Sequence, residues 1–275
     1  HHQPDGRFAA IEPHDPGVPP TVTRRIVADF ETTVRGIRQV VPNIEVVFDR
    51  AQVEVMRGCT RGCRFCQAGM QYRPLRERAP DVALAAAEAI LAATGYEEIG
   101  LTSLSTADYS HVREVATELH RRHPDVNVAL PSTRVDAFTV DLTDAIQPGR
   151  RVGFTFAPEA GSQRLRDVIN KGVSDDEIVR TAELAFSRGW SMLKFYFMIG
   201  LPGETLDDVL GIAEICRRVL KIGRRHHGNR ALVKANVSTF IPKVLTPFLW
   251  VGQDATEAIE AKVSAIRDAF RGRGL

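Results

Sequence analysis

Three of the four cysteines in this chain lie close together, at Cys59, Cys63 and Cys66, in the spacing Cys-x-x-x-Cys-x-x-Cys. Thiolates from one short loop can each bind a different iron atom of a cubane iron–sulfur cluster, because thiolate is the usual protein ligand of such clusters. The fourth iron would then lack a protein ligand and would be open to a second molecule. Gly58 and Gly62 allow the backbone to turn tightly around a bound object. The spacing predicts a cluster that takes part in chemistry.

Structural zinc and a disulfide are the alternatives for these thiols. Structural zinc takes four ligands, and the nearest histidines in the sequence are His14 and His111, so a local fourth ligand is missing. A disulfide would leave one thiol over and is typical of secreted chains. The fourth cysteine, Cys216, stands in a helical pattern and is expected to be a buried, inert thiol.

Composition and charge limit the classes of partner. The 275 residues are 44% hydrophobic with a net charge of +2, which favours neither nucleic acid nor a membrane as an obligatory partner. No run of about 18 apolar residues occurs, so no membrane span is expected. The clustered cysteines fit a reducing cytoplasm. Arg73, Arg76 and Arg78 form a basic run that is expected to neutralise a bound cluster or meet an anionic substrate. The pair His226-His227 is expected in a solvated basic loop.

Strand-like and helical stretches alternate along most of the chain. We predict strands over residues 51–56, 98–104, 126–130, 151–156, 191–199 and 232–240. Helices are predicted between them, at residues 80–94, 109–122, 138–146, 174–189 and 205–220, and a last one begins near residue 254. Two of these helices start with capping boxes, at Ser174–Glu177 and at Thr205–Asp208. Short β-branched runs at residues 23–28 and 44–48 are expected to pair as edge strands.

Six strand–helix units with short links require a parallel sheet with helices outside it. An open, doubly wound sheet and a barrel both satisfy that pattern, and periodicity does not choose between them. In a barrel the functional residues follow the carboxyl ends of the strands. The cysteine loop follows the first predicted strand, where that rule places a site.

The pattern Cys59-x-x-x-Cys63-x-Phe65-Cys66 resembles the signature of the radical S-adenosylmethionine (radical SAM) superfamily, in which the residue before the last cysteine is typically aromatic. The longer run over residues 57–70, with Tyr72-Arg-Pro-Leu-Arg-Glu-Arg78, resembles a bacterial subfamily whose full-length members carry an N-terminal cobalamin-binding domain. The core is also similar to that of methylthiotransferases. The likeness extends to about Trp250.

The resemblance implies a fold and a domain organisation. Residues 46–275 are expected to form an α/β, partial TIM-like (β/α)6 barrel, the radical SAM core. Residues 1–45, which contain five prolines before residue 21, are expected to be a linker or arm. In the resembling proteins such a segment leads to the cobalamin domain, and we expect it here to be the remnant of a connection to a domain absent from this chain.

The resemblance also implies the chemistry. Cys59, Cys63 and Cys66 would hold a 4Fe–4S cluster whose open iron binds S-adenosylmethionine. An electron from a reductant such as flavodoxin or ferredoxin would cleave that molecule to methionine and a 5′-deoxyadenosyl radical, which activates an unknown substrate. Cobalamin, through a domain absent from this chain, would support methyl transfer in the full-length protein. Two other classes stay open: a non-catalytic iron–sulfur redox or sensing module, and a zinc-dependent nucleic-acid-binding protein, which the near-neutral charge disfavours.

Family motifs suggest where S-adenosylmethionine would be contacted, beginning with Phe65 in the cysteine motif. Ser103 and Ser105 stand where members carry a Gly-Gly-Glu-like motif, which this chain lacks. Their backbone carbonyls could receive the amino group, and the alternative is a serine-rich turn that satisfies its own backbone. Arg134, after the third strand, could grip a carboxylate through two parallel bonds or be a surface arginine.

Later segments resemble methylthiotransferase elements. Residues 157–172 are similar to their Glu-Ser-Gly-Ser element, which implies that Glu159 meets the ribose hydroxyls and that Ser162 begins a helix facing the ligand carboxylate. The alternative for Glu159 is a simple loop charge. Ile199 and Gly200 end the fifth strand in a segment similar to their Gly-Phe-Pro-Gly-Glu-Thr turn, and are expected to contact adenine. Glu204 is expected to favour the next helix N-terminus.

Overall fold

The computed structural model describes residues 12–19, 21–32, 36–131, 142 and 153–271. Within these ranges the strands are β1 (Ala51–Glu54), β2 (Met56–Arg57), β3 (Arg76–Glu77), β4 (Glu98–Thr102), β5 (Asn127–Ala129), β6 (Phe154–Glu159), β7 (Met192–Ile199) and β8 (Leu232–Thr239). The helices are α1 (Gln67–Gln71), α2 (Pro80–Thr94), α3 (Val112–Arg122), α4 (Gln163–Val168), α5 (Asp175–Ser187), α6 (Leu206–His227) and α7 (Thr256–Arg271).

Six of these strands form two parallel sheets of three strands each. The first has the order β1-β4-β5 and the second β6-β7-β8, while β2 and β3 pair as a short antiparallel hairpin. The six predicted strands are therefore present, within a few residues of their predicted bounds. Among the described residues, no helix combines the length and apolarity that crossing a bilayer requires.

Local signals in the sequence account for where several helices begin and end. Helix α2 starts at Pro80 and stops before Gly95, which has a φ of 71°. Both predicted capping boxes form, one at Ser174 before α5 and one at Thr205 before α6. In each, the cap hydroxyl accepts a backbone N–H that the first helical turn would otherwise leave unpaired. The predicted helix over residues 138–146 lies almost wholly outside the described residues.

Three local predictions were wrong. Residues 23–28 and 44–48 form no strand. Helix α6 continues past Leu220 to His227, so the two histidines lie in its last turn rather than in a loop. There His226 Nε2 is 2.6 Å from Glu183 Oε1 and His227 Nε2 is 2.8 Å from the Phe186 carbonyl oxygen. These contacts to α5 extend the helix beyond what its own sequence pattern predicts.

The helices pack on the sheets through two main apolar cores. The first joins β1, β4 and β5 to α2 and α3, with Val53, Leu101, Ile90 and Val115 at its centre. The second joins β6, β7 and β8 to α5, α6 and α7. Complete burial of one such aliphatic side chain stabilises the folded state by roughly 1.5–3 kcal/mol. These cores therefore hold the strand ends, and the loops that follow them, in place.

The segment before β1 docks on the hairpin through a buried arginine. Phe30 is buried, and the Arg78 guanidinium carbon lies 4.1 Å from its ring centroid. Arg78 Nε donates to the Glu54 carbonyl at 2.7 Å and its Nη1 donates to the Glu31 carbonyl at 3.1 Å. The Glu31 carboxylate in turn accepts the Ala79 N–H at 2.7 Å. Arg78 therefore stabilises the arm, and the role predicted for it at a cluster was wrong.

Asp208 ties helix α6 to the loop that follows β6. Its carboxylate accepts the Thr205 N–H at 2.8 Å and also accepts bonds from the Ser162 hydroxyl and the Arg164 guanidinium. Burial alone would raise the pKa of Asp208, but these hydrogen bonds outweigh it and lower the pKa to about 2. The ionised form is therefore favoured by the folded chain.

Replacing the Asp208 carboxylate should make the free energy of unfolding depend less on pH in the acid range. Because the folded pKa lies below the ordinary 3.8, the ionised carboxylate stabilises the fold above pH 3.8 and this contribution disappears as the pH falls toward 2. We expect Asp208→Asn to lower the free energy of unfolding by about 2 kcal/mol at neutral pH, with a smaller loss near pH 3. Urea unfolding at both pH values measures this, with the exposed neighbour Asp207→Asn as control. Equal losses at the two pH values would contradict it.

Candidate functional site

The cysteine loop runs from the end of β2 to the start of α1. Cys66 caps α1, since its Sγ accepts the Gly69 N–H at 3.3 Å and its own N–H donates to the Cys63 carbonyl at 3.1 Å. A Cβ on Gly58 would lie 2.8 Å from the Pro74 carbonyl oxygen, so only glycine lets the loop pass this close to the next segment. All three thiols are partly exposed, which leaves them accessible to a bound group.

Two segments that are distant in the chain clamp the loop through hydrogen bonds. The Arg64 N–H donates to the Ile169 carbonyl at 2.9 Å, and Asn170 Nδ2 donates to the carbonyls of Arg61 and Gly62 at 3.2 and 3.0 Å. In the second segment, Asp108 Oδ2 accepts from Arg61 Nε at 2.9 Å. The residues after α4 and the turn after β4 thus hold one loop between them, and this fixes the backbone that carries the thiols.

We expect the two hydrogen bonds from Asn170 to help the cysteine loop retain its cluster. Its φ of 53° is left-handed, a conformation that asparagine and glycine tolerate best. Asn170→Gly keeps that backbone accessible and removes only the two hydrogen bonds, each worth about 1 kcal/mol. We expect reconstituted Asn170→Gly to lose iron to a chelator about tenfold faster than the unmodified chain, with Asn229→Gly, the same change at an exposed position far from the loop in the chain, as control. Equal rates for Asn170→Gly and the unmodified chain would show that the clamp does not hold the loop.

Charges around Cys63 link the loop to the end of β6. Burial raises the pKa of the Cys63 thiol, and the negative charges of Cys66, Cys59 and Glu159 raise it further, while Lys171 lowers it. Lys171 Nζ lies 3.1 Å from Glu159 Oε1. The three thiols are therefore close enough to repel one another as thiolates, and a cation stands beside them. Ligand thiols must lose their protons to bind metal, so Lys171 favours the binding form.

The arrangement of the donors fits a multi-iron cluster. A cubane cluster takes one thiolate at each of three separate irons, which three partly exposed thiols on one clamped loop can supply. The residues present therefore fit the iron–sulfur group.

Phe65 anchors the loop rather than standing free in it. Its ring packs against a small apolar cluster, against which Met198 of β7 also packs. The members of this cluster come from the three segments that follow β6, β7 and β8: Ala160, Leu165, Ile169, Leu201, Phe240 and Phe248. The aromatic residue of the motif therefore joins the cysteine loop to the second sheet.

The serine turn after β4 satisfies its own polar groups. Ser103 Oγ lies 3.2 Å from Thr106 Oγ1 and accepts the Ser105 N–H at 3.1 Å, while Ser105 Oγ donates to Asp108 Oδ2 at 2.7 Å. Asp108 is also the partner of Arg61, so this turn is part of the clamp. Contact between Ser103 or Ser105 and S-adenosylmethionine remains a prediction. The Ser105 carbonyl already accepts the Asp108 N–H at 3.0 Å, so the amino group would have to use the second lone pair of a carbonyl oxygen in this turn.

The ends of β6 and β7 carry the other predicted contacts. Glu159 follows an irregularity in the β6–β7 pairing and has a φ of 72°. Ser162 caps α4 by accepting the Leu165 N–H at 3.1 Å. Ile199 is buried, and the Gly200 N–H donates to Glu204 Oε2 at 2.7 Å. Arg134 lies outside the described residues.

Glu204 has contacts beyond the role predicted for it at the start of α6. Its carboxylate also accepts from Lys262 of α7 at 2.6 Å, so it braces the turn after β7, while its effect on the helix N-terminus stays a prediction. Asn170, Lys171 and Asp108 are site residues that the motif analysis did not single out. The run Asn170-Lys-Gly172 carried a signal for the first of them, because asparagine is the side chain that best tolerates a left-handed turn.

The model of the Radical SAM superfamily matches residues 53–216, which include the cysteine loop and the strands β4 to β7. The chain belongs to the radical SAM superfamily. Members of this superfamily are enzymes that use an iron–sulfur cluster and S-adenosylmethionine, and both the family and the enzyme class predicted from the sequence are confirmed.

The similar curated proteins include one that is uncharacterised and others with different named functions. An uncharacterised protein of Methanocaldococcus jannaschii, MJ0966, is 31% identical over 81% of this chain and 47% of its own length. A tRNA-2-methylthio-N(6)-dimethylallyladenosine synthase of Chlorobium luteolum is 31% identical over 77% of this chain and 44% of its own length. The ribosomal protein uS12 methylthiotransferase RimO of Acidithiobacillus ferrooxidans is 25% identical over 61% and 41%. This radical SAM chain spans less than half the length of each of these relatives.

Solved structures show the fold. The radical S-adenosylmethionine methyltransferase TsrM from Kitasatospora setae, with cobalamin and a [4Fe-4S] cluster bound, superposes with a TM-score of 0.56 at 18% identity over 72% of this chain and 36% of that one. Coproporphyrinogen III oxidase HemN from Escherichia coli gives a TM-score of 0.50 at 11% identity over 80% and 52%. The prediction of an α/β, partial TIM-like barrel is confirmed.

Proposed function

We propose that this radical SAM chain holds a 4Fe–4S cluster on Cys59, Cys63 and Cys66 and uses it to activate a substrate. The observation that carries the proposal is the clamped loop, which presents three partly exposed thiols just past the end of the first parallel strand. The thiolates of Cys59, Cys63 and Cys66 would hold the cluster, which would supply the electron for reductive cleavage of S-adenosylmethionine and thus the 5′-deoxyadenosyl radical that would activate the substrate.

The chain's own residues would bind and orient the reactants. Lys171 offsets negative charge beside Cys63. The Glu159 carboxylate has acceptor capacity beyond its bond to Lys171, and we assign it to ribose hydroxyls. Phe65 and the cluster it packs against exclude water from one side of the loop.

The remaining predicted contacts follow the other strand ends. Ile199 and Gly200 would meet adenine at the end of β7, and the turn of Ser103 and Ser105 would receive the amino group through its carbonyls. Ser162 would orient the start of α4, and Arg134 would hold a carboxylate. A one-electron reductant such as flavodoxin or ferredoxin completes the proposal.

Anaerobic reconstitution with iron and sulfide tests this proposal directly. After reduction with dithionite in the presence of S-adenosylmethionine, we expect 5′-deoxyadenosine and methionine in equal amounts. A stable cluster without cleavage would favour a redox or sensing module. Bound zinc without iron would overturn the cluster assignment and favour the zinc-dependent class.

For the whole protein we propose methyl transfer assisted by cobalamin as the outcome on the substrate. Its support is the likeness of residues 57–78 to the subfamily with an N-terminal cobalamin-binding domain. The expected result is that the full-length protein transfers a labelled methyl group from S-adenosylmethionine to cob(I)alamin, which the assay generates from hydroxocobalamin by two-electron reduction, and releases S-adenosylhomocysteine. Cleavage of S-adenosylmethionine with no labelled methylcobalamin would contradict this part and leave the cluster chemistry intact.

A further inference from the structure

One face of the β6-β7-β8 sheet points away from helices α5, α6 and α7 and is polar. Along β7, Leu193, Phe195 and Phe197 are buried in the helix-facing core, so the residues between them lie on the opposite face. These are Lys194 and Tyr196. The face of the β6-β7-β8 sheet opposite the helices therefore carries these polar side chains.

The parallel register aligns the polar residues in rows across the strands. Lys194 is paired with Lys234 of β8 on one side and with Thr155 of β6 on the other. The next row along the strands pairs Tyr196 with Asn236. Neighbouring strands lie about 4.8 Å apart, so two ammonium-bearing side chains start from adjacent backbone positions on one face.

This lysine pair has no counter-ion in the part of the chain that the structure describes. Neither Lys194 nor Lys234 forms a salt bridge there, and the Tyr196 hydroxyl and the Asn236 amide have no hydrogen-bond partner there either. Lys234 and Tyr196 are exposed. Like charges side by side repel each other, and an anion between them would remove that repulsion.

The rows lead toward the cysteine loop. Met198, on the same face and four residues after Lys194, packs against the small apolar cluster that also receives Phe65. Four residues of strand span about 13 Å. A molecule bound at the lysine pair could therefore extend past Tyr196 and Asn236 to the level at which Phe65 meets the sheet.

We propose that the substrate carries a phosphate group, which Lys194 and Lys234 bind, while Tyr196 and Asn236 hydrogen-bond the part that extends toward the cysteine loop. A phosphate monoester carries close to two negative charges at neutral pH, which matches two ammonium groups, and lysine binds phosphate as a point charge. The role of substrate rests on the proposed radical SAM function, whereas binding of the anion requires only the two lysines.

Calorimetric titration of the anaerobically reconstituted chain with inorganic phosphate tests the site. We expect Lys194→Gln and Lys234→Gln each to weaken phosphate binding about tenfold, and Lys194→Arg to retain it. Lys221→Gln, an exposed lysine on α6, is the matched control and should bind as the unmodified chain does. Malonate, a dicarboxylate, should bind more weakly than phosphate.

Three results would overturn the phosphate site: no phosphate binding by the unmodified chain, an equal loss in Lys221→Gln, or tighter binding of malonate. Iron content, measured on the same samples, should be unchanged in Lys194→Gln and Lys234→Gln, which shows that both variants fold and form the cluster. Phosphate binding that depends on both lysines in a chain that forms no cluster would support the anion site and overturn the proposed function.

Discussion

Cys63→Ala is expected to leave the chain without bound iron and without formation of 5′-deoxyadenosine. Three thiolates are the whole protein ligand set that we propose, and a cubane cluster held by two would be lost on gel filtration. Cys63 is also the thiol whose negative charge Lys171 offsets, so its removal takes away the ligand position that this cation favours. Iron content, the visible absorption of the cluster and the yield of 5′-deoxyadenosine measure the effect.

Cys216→Ala is the matched control for this experiment. Cys216 is buried in the core of the second sheet, and burial raises the pKa of its thiol to about 12. It is therefore a protonated, inert thiol, as the sequence predicts, and its removal should leave iron content unchanged. Full iron retention by Cys63→Ala would disprove the ligand assignment, and so would an equal loss in Cys216→Ala.

Gly161→Ala is expected to lower the free energy of unfolding by about 3 kcal/mol, the upper part of the usual range for overpacking. A Cβ on Gly161 would lie 2.3 Å from the Asp208 carbonyl oxygen and 2.5 Å from the Ile212 nitrogen. Both contacts are with the backbone of α6, which cannot rotate aside. Because Gly161 stands between Glu159 and Ser162, its displacement should also reduce cleavage of S-adenosylmethionine.

Gly252→Ala is the control, since a Cβ there would meet no atom within 4 Å. Urea unfolding of both variants, together with 5′-deoxyadenosine yield under reducing conditions, measures stability and site geometry separately. Equal stability of the two variants would show that the loop after β6 does not lie against α6 as the structure places it.

Local patterns account for most of what could be predicted from the sequence. The strands β4, β7 and β8 are β-branched and aromatic runs, and the capping boxes at Ser174 and Thr205 are spelled out in four consecutive residues each. The cysteine motif is equally local. Each of these signals depends on residues adjacent in the chain, so one sequence was enough to place them.

The features that the sequence did not predict depend on contacts between residues that are distant in the chain. Arg78 reads as one member of a basic run, but its burial depends on Phe30, which lies 48 residues earlier. The clamp between Asn170 and the cysteine loop spans 108 residues. Helix α6 passes Leu220 because His226 and His227 meet α5. Periodicity describes how one element is patterned and carries no information about which element it will meet.

The two clamps on the cysteine loop impose an order on biogenesis. Asp108 follows Arg61 by 47 residues, whereas Asn170 follows Gly62 by 108. A nascent chain therefore carries an oxidisable loop held by only one of its two clamps until the second sheet is being synthesised. Delivery of iron and sulfur should therefore follow translation of that half. A chain ended at residue 153, purified anaerobically, is expected to retain no cluster, whereas iron retained by it would show that the first sheet suffices.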